Sequence, residues 1–144
     1  EIYTLSLHDA LPILVDFVGN SDPKQIRICE RCRSAMTNRD VLDAFFKAEN
    51  ERNWELYQQF LHSEISWQLF GKEEKRIVGI ENYMQVIKNA YANSDAQFSC
   101  SDMQISGDGN RIAAYLVNDS GVRSLDIFDF KNGMIYREYE FILD

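Results

Sequence analysis

Apolar side chains recur along this chain first at helical and then at strand spacing. From Asn38 to Asn50 the apolar positions Val41, Leu42, Phe45 and Phe46 fall on one stripe, with Arg39, Asp43, Lys47 and Glu51 elsewhere. That 3.6-residue period predicts a helix, opened by Thr37-Asn38 as caps and Asp40 in its first turn. A polar break, Glu49 to Asn53, follows. Asn53 can cap a second helix, Trp54–His62, whose buried stripe is Trp54, Tyr57, Phe60 and Leu61. The pattern then switches to alternation. In Ile65–Phe70 the side chains of Ile65, Trp67 and Leu69 share one face and Ser66, Gln68 and Phe70 the other, which predicts a strand. Gly71–Arg76 reads as a charged loop. Ile77-Val78-Gly79 leads into a third helix, Ile80–Tyr91, with Ile80, Tyr83, Met84, Ile87 and Tyr91 on one face. Ala96–Ser106 is a strand, irregular near Ser101-Asp102.

The last third of the chain organises the rest. Arg111–Asn118, Val122–Phe130 and Met134–Leu143 are rich in Ile, Val, Tyr and Phe, and the breaks between them carry Asp119-Ser120-Gly121 and Lys131-Asn132-Gly133. Such turn residues tolerate positive φ, so the three runs predict an antiparallel meander. Helices grouped before strands indicate an α+β domain. Three N-terminal helices must then cover a strongly curved, mainly antiparallel sheet, a cone whose closed end leaves a pocket.

Residues 1–13 (EIYTLSLHDALPI) resemble the translation of a common short-read sequencing adapter and are set apart from fold reasoning. Residues 14–35 read as upstream sequence in the same frame, and Met36, just before the first helix signal, as the start of the domain. On this reading residues 1–35 are a leader that contributes nothing to the fold, and residues 36–144 are the single domain. Cys29-Glu30-Arg31-Cys32 has the spacing of a zinc half-site or a redox pair. Zinc needs a second ligand pair, the only other cysteine is Cys100, and no strand precedes the motif, so it is read as accidental.

The whole chain carries 23 acidic against 15 basic residues, a formal charge of −8. That balance argues against a nucleic-acid partner, which needs clustered Lys and Arg. No apolar run is long enough to span a membrane. Within residues 36–144 Cys100 has no cysteine to pair with, which suits a reducing cytoplasm.

Three stretches together resemble the nuclear transport factor 2-like superfamily and, within it, the SnoaL-like proteins. They are Asn53-Trp54-Glu55 after the first helix; Ile65-Ser66-Trp67 followed by Val78-Gly79-Ile80-Glu81; and Phe128-Asp129-Phe130-Lys131-Asn132-Gly133-Met134-Ile135 with Arg137-Glu138-Tyr139 at the end. The resemblance covers residues 36–144 and implies a cystatin-like roll. It implies a role among isomerases, cyclases and hydrolases of small ring-containing molecules, or among non-catalytic binding and association modules. The family's isomerase base is an Asp late on the first strand; its position falls near Leu69, and residues 65–71 contain no carboxylate. The epoxide hydrolases' Arg-x-Asp is replaced by Tyr115-Leu116-Val117. Both of those activities are therefore disfavoured.

The family's acidic position on the last strand falls on Glu140 or on Glu138, depending on the alignment. Alternation places both on one face with Tyr136. If that face is concave, they enter an aromatic pocket, and burial and mutual repulsion raise the pKa of one. If it is the solvent face, they are surface groups. The expected site is Glu140 or Glu138 as proton-transfer group, with Trp67, Leu69, Tyr83, Tyr115 and Tyr136 as ligand-binding walls for a small, uncharged, ring-sized molecule. No metal ligand set and no cofactor motif is visible. Asp126 and Asp129 lie on opposite faces of their strand, so one can point inward; pairing with Arg111, Arg123 or Arg137 is the alternative. His62, the domain's only histidine, is expected to end the second helix and complement its dipole. The rival to a catalytic or ligand-binding pocket is a binding or dimerisation module with a filled core. A homodimer through the outer face of the sheet is expected on either reading.

Overall fold

The computed structural model describes residues 27–144; the adapter-like stretch and residues 14–26 lie outside them. Helix α1 (Glu30–Ala35) is followed by α2 (Asn38–Asn50) and α3 (Trp54–Tyr57), which runs on as a 3-10 turn to Phe60. Strands β1 (Leu61–Phe70) and β2 (Glu74–Val78) precede α4 (Ile80–Tyr91). Four strands complete the chain: β3 (Phe98–Ile105), β4 (Arg111–Asn118), β5 (Arg123–Lys131) and β6 (Met134–Ile142). All six form one sheet in the order β2-β1-β6-β5-β4-β3. Every neighbouring pair is antiparallel except β1 with β6.

Local chemistry explains the boundaries. Thr37 caps α2 through a capping box: its hydroxyl accepts from the Asp40 amide at 3.1 Å, and the Asp40 carboxylate accepts from the Thr37 amide at 2.9 Å. The Asn53 side chain accepts from Leu56 N–H and starts α3. Asn132 (φ 53°) and Gly133 (φ 73°) both adopt positive φ, the backbone a two-residue hairpin between β5 and β6 requires.

The second helix is shorter than its apolar stripe suggested. Leu61 already pairs with Ile135 in the sheet, so the helix stops at Phe60 and His62 lies in β1. His62 therefore does not complement a helix dipole. Its Nδ1 accepts the Glu64 amide, and its ring packs edge-on to Tyr136 at 5.2 Å. Strand β2 takes the second half of the expected charged loop, from Glu74. Its side chains are mostly exposed, so no alternation marked it, and its Glu, Lys and Arg suit an unpaired sheet edge. The irregularity in β3 falls between Cys100 and Asp102, as expected.

The sheet is not strongly curled, contrary to the expected cone. Its edges β2 and β3 stay apart, and side chains of α2 and α4, rather than the sheet's own curl, close the inner side. The core there joins Leu42, Phe45 and Phe46 of α2, Tyr57 and Phe60, Ile65 and Trp67 of β1, Tyr83 and Ile87 of α4, and Ile112, Phe128 and Ile135. Ile28, ahead of the expected domain start, is 7% exposed and belongs to the same cluster. Its amide donates to Gln59 Oε1 at 2.8 Å, and Arg33 donates to the Gln59 carbonyl at 2.9 Å. The Cys29 thiol caps α1 by accepting from the Cys32 amide.

Candidate functional site

The inward rows of the central strands define one wall of a cavity. On β1 these are Ile65, Trp67 and Leu69; on β5, Ser124, Asp126 and Phe128; on β6, Glu138, Glu140 and Ile142. Register sets acids side by side. Asp126 faces Glu140 across the β5–β6 pair, while Trp67 and Leu69 of β1 lie beside Glu138 and Glu140. Oxygens of Asp126, Glu138 and Glu140 all lie within 4.8 Å of one another. Helix α2 forms the opposite wall with Phe45, Phe46 and Glu49, and α4 adds Ile87 and Tyr91. The cavity has a volume of about 330 Å³.

Each acid is held differently. Glu138 is 6% exposed and accepts from the Tyr83 hydroxyl at 2.5 Å; Tyr83 and Tyr57 hydroxyls are 3.0 Å apart. A phenol has one proton, so when Glu138 is ionised Tyr83 donates to it and accepts from Tyr57, whose proton is then not available to Glu49. Glu140 accepts from Trp67 Nε1–H at 3.1 Å. Glu49 accepts from the Tyr91 hydroxyl at 2.7 Å, and the Arg52 guanidinium stacks 3.9 Å over the Tyr91 ring. Asp126 is 4% exposed, and its Oδ1 has no hydrogen-bond partner.

Burial and crowding disfavour ionisation throughout. The Glu49 carboxyl is raised to about 7, chiefly by burial, against the Tyr91 and Tyr57 hydroxyls that favour the anion. Glu138 is raised well above the ordinary carboxyl range by burial, then by Asp126 and Glu140; Asp126 is raised by burial and then by Glu140. Glu140 is raised by burial, partly offset by the Trp67 N–H. Tyr83 and Tyr57 are pushed above the usual phenol range by burial and neighbouring carboxyls, so both remain protonated donors.

The structure thus brings together Glu138, Glu140, Trp67, Leu69 and Tyr83 from the expected set, with Tyr83 behind Glu138. It does not bring in Tyr115 or Tyr136. Ile112 and Ala114 are buried on the inner side of β4, so Tyr115 faces the other way and is 40% exposed. Tyr136 sits at a register shift: Asp129 pairs with Arg137 and Phe130 with Ile135, leaving Tyr136 as the extra residue. The bulge breaks the alternation, so Ile135 and Glu138 both point inward, and Tyr136 packs against His62, Lys131 and Arg137 instead.

Two acids of the site lay outside the expected set, as did the walls Phe45, Tyr57 and Tyr91. Glu49 was read as part of a polar break, yet it follows Phe45 by four positions and Phe46 by three, which continues the apolar stripe of α2. Asp126 is the inward one of the two aspartates; Asp129 forms a two-pronged bond with Arg111 on the outer face, as weighed from the sequence. Asp126, Glu138 and Glu140 are also the described residues whose oxygens could hold a hard cation.

No protein-family model and no curated protein matches the sequence. Solved structures do. The RV0760c protein of Mycobacterium tuberculosis, solved in complex with estradiol-17beta-hemisuccinate, superposes with TM-score 0.65 at 16% identity, over 73% of this chain and 93% of that one. A ketosteroid-isomerase candidate of Kribbella flavida gives 0.66 at 17% identity, over 74% and 78%. A polyketide-cyclase candidate of Pseudomonas putida gives 0.60 at 16%, over 76% and 93%. The fold is NTF2-like, also called cystatin-like, a scaffold that hosts several chemistries.

Proposed function

We propose that the cavity binds a small, largely apolar, ring-containing molecule and moves a proton on it with carboxyl groups, as an isomerase, cyclase or hydrolase would. The observation that carries this reading is the meeting of Asp126, Glu138 and Glu140 within 4.8 Å in the wall of a cavity of about 330 Å³ lined by Phe45, Tyr57, Trp67 and Tyr91. Aromatic walls provide area for a ring, and a carboxyl whose pKa burial has raised is a stronger base than an ordinary one and can both take and return a proton. Glu140, partly exposed to the cavity, is the proton-transfer group. Glu138, fixed by Tyr83 and Tyr57, is the buried acid beside it, and Glu49 faces them from α2. The structural likeness to a protein solved with estradiol-17beta-hemisuccinate supports a ring-sized occupant. An open cavity supports this reading over a binding or dimerisation module with a filled core.

A screen of ring-containing metabolites for thermal stabilisation, followed by solvent deuterium exchange into each hit, tests the reading. Expected are stabilising hits whose exchange is catalysed by the protein, with Glu140→Gln abolishing exchange and retaining binding. Binding without exchange would leave a ligand carrier, and no hit would remove the pocket function.

The outer face of the sheet presents Tyr115, Leu125, Ile127, Tyr139 and Phe141, all at least partly exposed. We propose that this face pairs with a second copy of the chain, as the apolar excess of the meander suggested. Among the described residues no helix is long and apolar enough to cross a membrane. A reducing cytoplasm suits the exposed thiol of Cys100.

A further inference from the structure

The cavity has an excess of acceptors over donors. Tyr83 serves Glu138 Oε2, Trp67 serves Glu140 Oε2, and Tyr91 serves Glu49 Oε1. Asp126 Oδ1 has nothing, although the residue is 96% buried by its 4% exposure. An unpartnered buried acceptor is costly; the Ser124 hydroxyl, two residues away on β5, hydrogen-bonds the Asp126 carboxyl but leaves Oδ1 without a partner, and the side chain lines the cavity, so a ligand there can supply the missing donor. The neighbouring elements supply no cation for it. Glu49 faces it from α2, Tyr57 from α3, Tyr91 from α4, and Trp67 from β1. Among the described residues lining the cavity, Arg123 is the only basic one, and it is held by Asp144 through Nη2 at 2.7 Å and Nε at 3.2 Å.

We propose that the ligand is a cation, a ring-bearing primary ammonium whose N–H groups are donated to Asp126 Oδ1 and the free oxygens of Glu138 and Glu140. This rests on the pocket reading above and narrows its largely apolar, ring-containing ligand to one that carries a protonated amine, in place of the uncharged ring expected from the sequence. One positive charge among carboxyls that repel one another relieves that repulsion, and an ammonium offers three donors where the wall offers unfilled acceptors. The rings of Trp67 and Tyr91 on either side favour a cation that also has an apolar body. A hard metal ion fits less well. It takes about six or more oxygen ligands, whereas Trp67 and Tyr83 already occupy one oxygen each of Glu140 and Glu138.

The test is a titration of the full-length protein at pH 7, read from the Trp67 indole N–H resonance, which reports from inside the cavity. The probes are benzylammonium, benzyl alcohol, benzoate and manganese chloride. Benzylammonium is expected to bind about tenfold or more tighter than benzyl alcohol, the size of one charge-assisted hydrogen bond, and benzoate not at all. Asp126→Asn should bring the two binders to near parity while sparing benzyl alcohol. Glu140→Gln should act in the same direction and serves alone if Asp126→Asn fails to fold. Equal binding of benzylammonium and benzyl alcohol would overturn the charge preference and leave the pocket reading standing. Failure of every ring probe would overturn both. Saturable manganese binding that excludes benzylammonium would assign the carboxyls to a metal ion and overturn the proposal.

Discussion

Glu138 shows at the residue scale how position converts an ordinary acid into a structural liability. Its carboxyl is buried, bonded to Tyr83, and crowded by Asp126 and Glu140, so its folded pKa lies above its unfolded value. Asp126, Glu140 and Glu49 shift in the same direction, Glu49 to about 7. For groups raised on folding, the stability they permit is full below the unfolded carboxyl range and is lost as pH rises through the folded pKa. Melting temperature is therefore expected to be highest at acidic pH and to fall as pH rises from the ordinary carboxyl range through neutrality. Glu138→Gln should flatten that decline, because the amide never ionises. A melting temperature that stays level or rises between mildly acidic and mildly alkaline pH would show that the carboxyls are not held in their neutral form.

At the scale of elements, α1 and β6 each departed from simple periodicity. The segment before Met36 was expected to contribute nothing, yet Ile28 sits in the core cluster and Gln59 bonds to both Ile28 and Arg33. Deleting residues 1–35 should give a melting temperature several degrees below that of a deletion of residues 1–26, since losing one buried Ile costs about 2–5 kcal/mol. Equal melting temperatures for the two truncations would place the domain start at Met36. In β6 the alternation that placed Tyr136 with Glu138 and Glu140 fails at the bulge, while Glu138 and Glu140 themselves stay in register. Strand parity was plain where one face was polar, as in β1 with Ser66 and Gln68 opposite Trp67 and Leu69. It was ambiguous in β4, where Ala113, Tyr115 and Val117 alternate with residues just as apolar.

At the scale of the whole sheet, among the described residues helices cover one face and none covers the other. That outer face carries Phe70 stacked on Phe141 at 4.7 Å, with Tyr115, Leu125 and Ile127 on the same side. Sedimentation at micromolar concentration is expected to show a dimer, and Leu125→Arg with Ile127→Lys should shift it to a monomer by placing charges in an apolar interface. A single monomer boundary for the unaltered protein would rule out the paired sheet.

The sequence by itself determined the α+β class, the caps of α2 and α3, the hairpin turn at Asn132-Gly133 and the inward face of β1. These rest on local propensity and short-range periodicity, which act within a few residues of the chain. Only the tertiary structure decided which acids meet. Asp126, Glu138 and Glu140 come together through the register of β5 against β6, and Glu49 joins them because α2 packs across that wall. The bulge at Tyr136 and the early end of the second helix at Leu61 were also decided by pairing between distant strands. Such pairing depends on the energy of the whole packed sheet, and no window of local sequence encodes it.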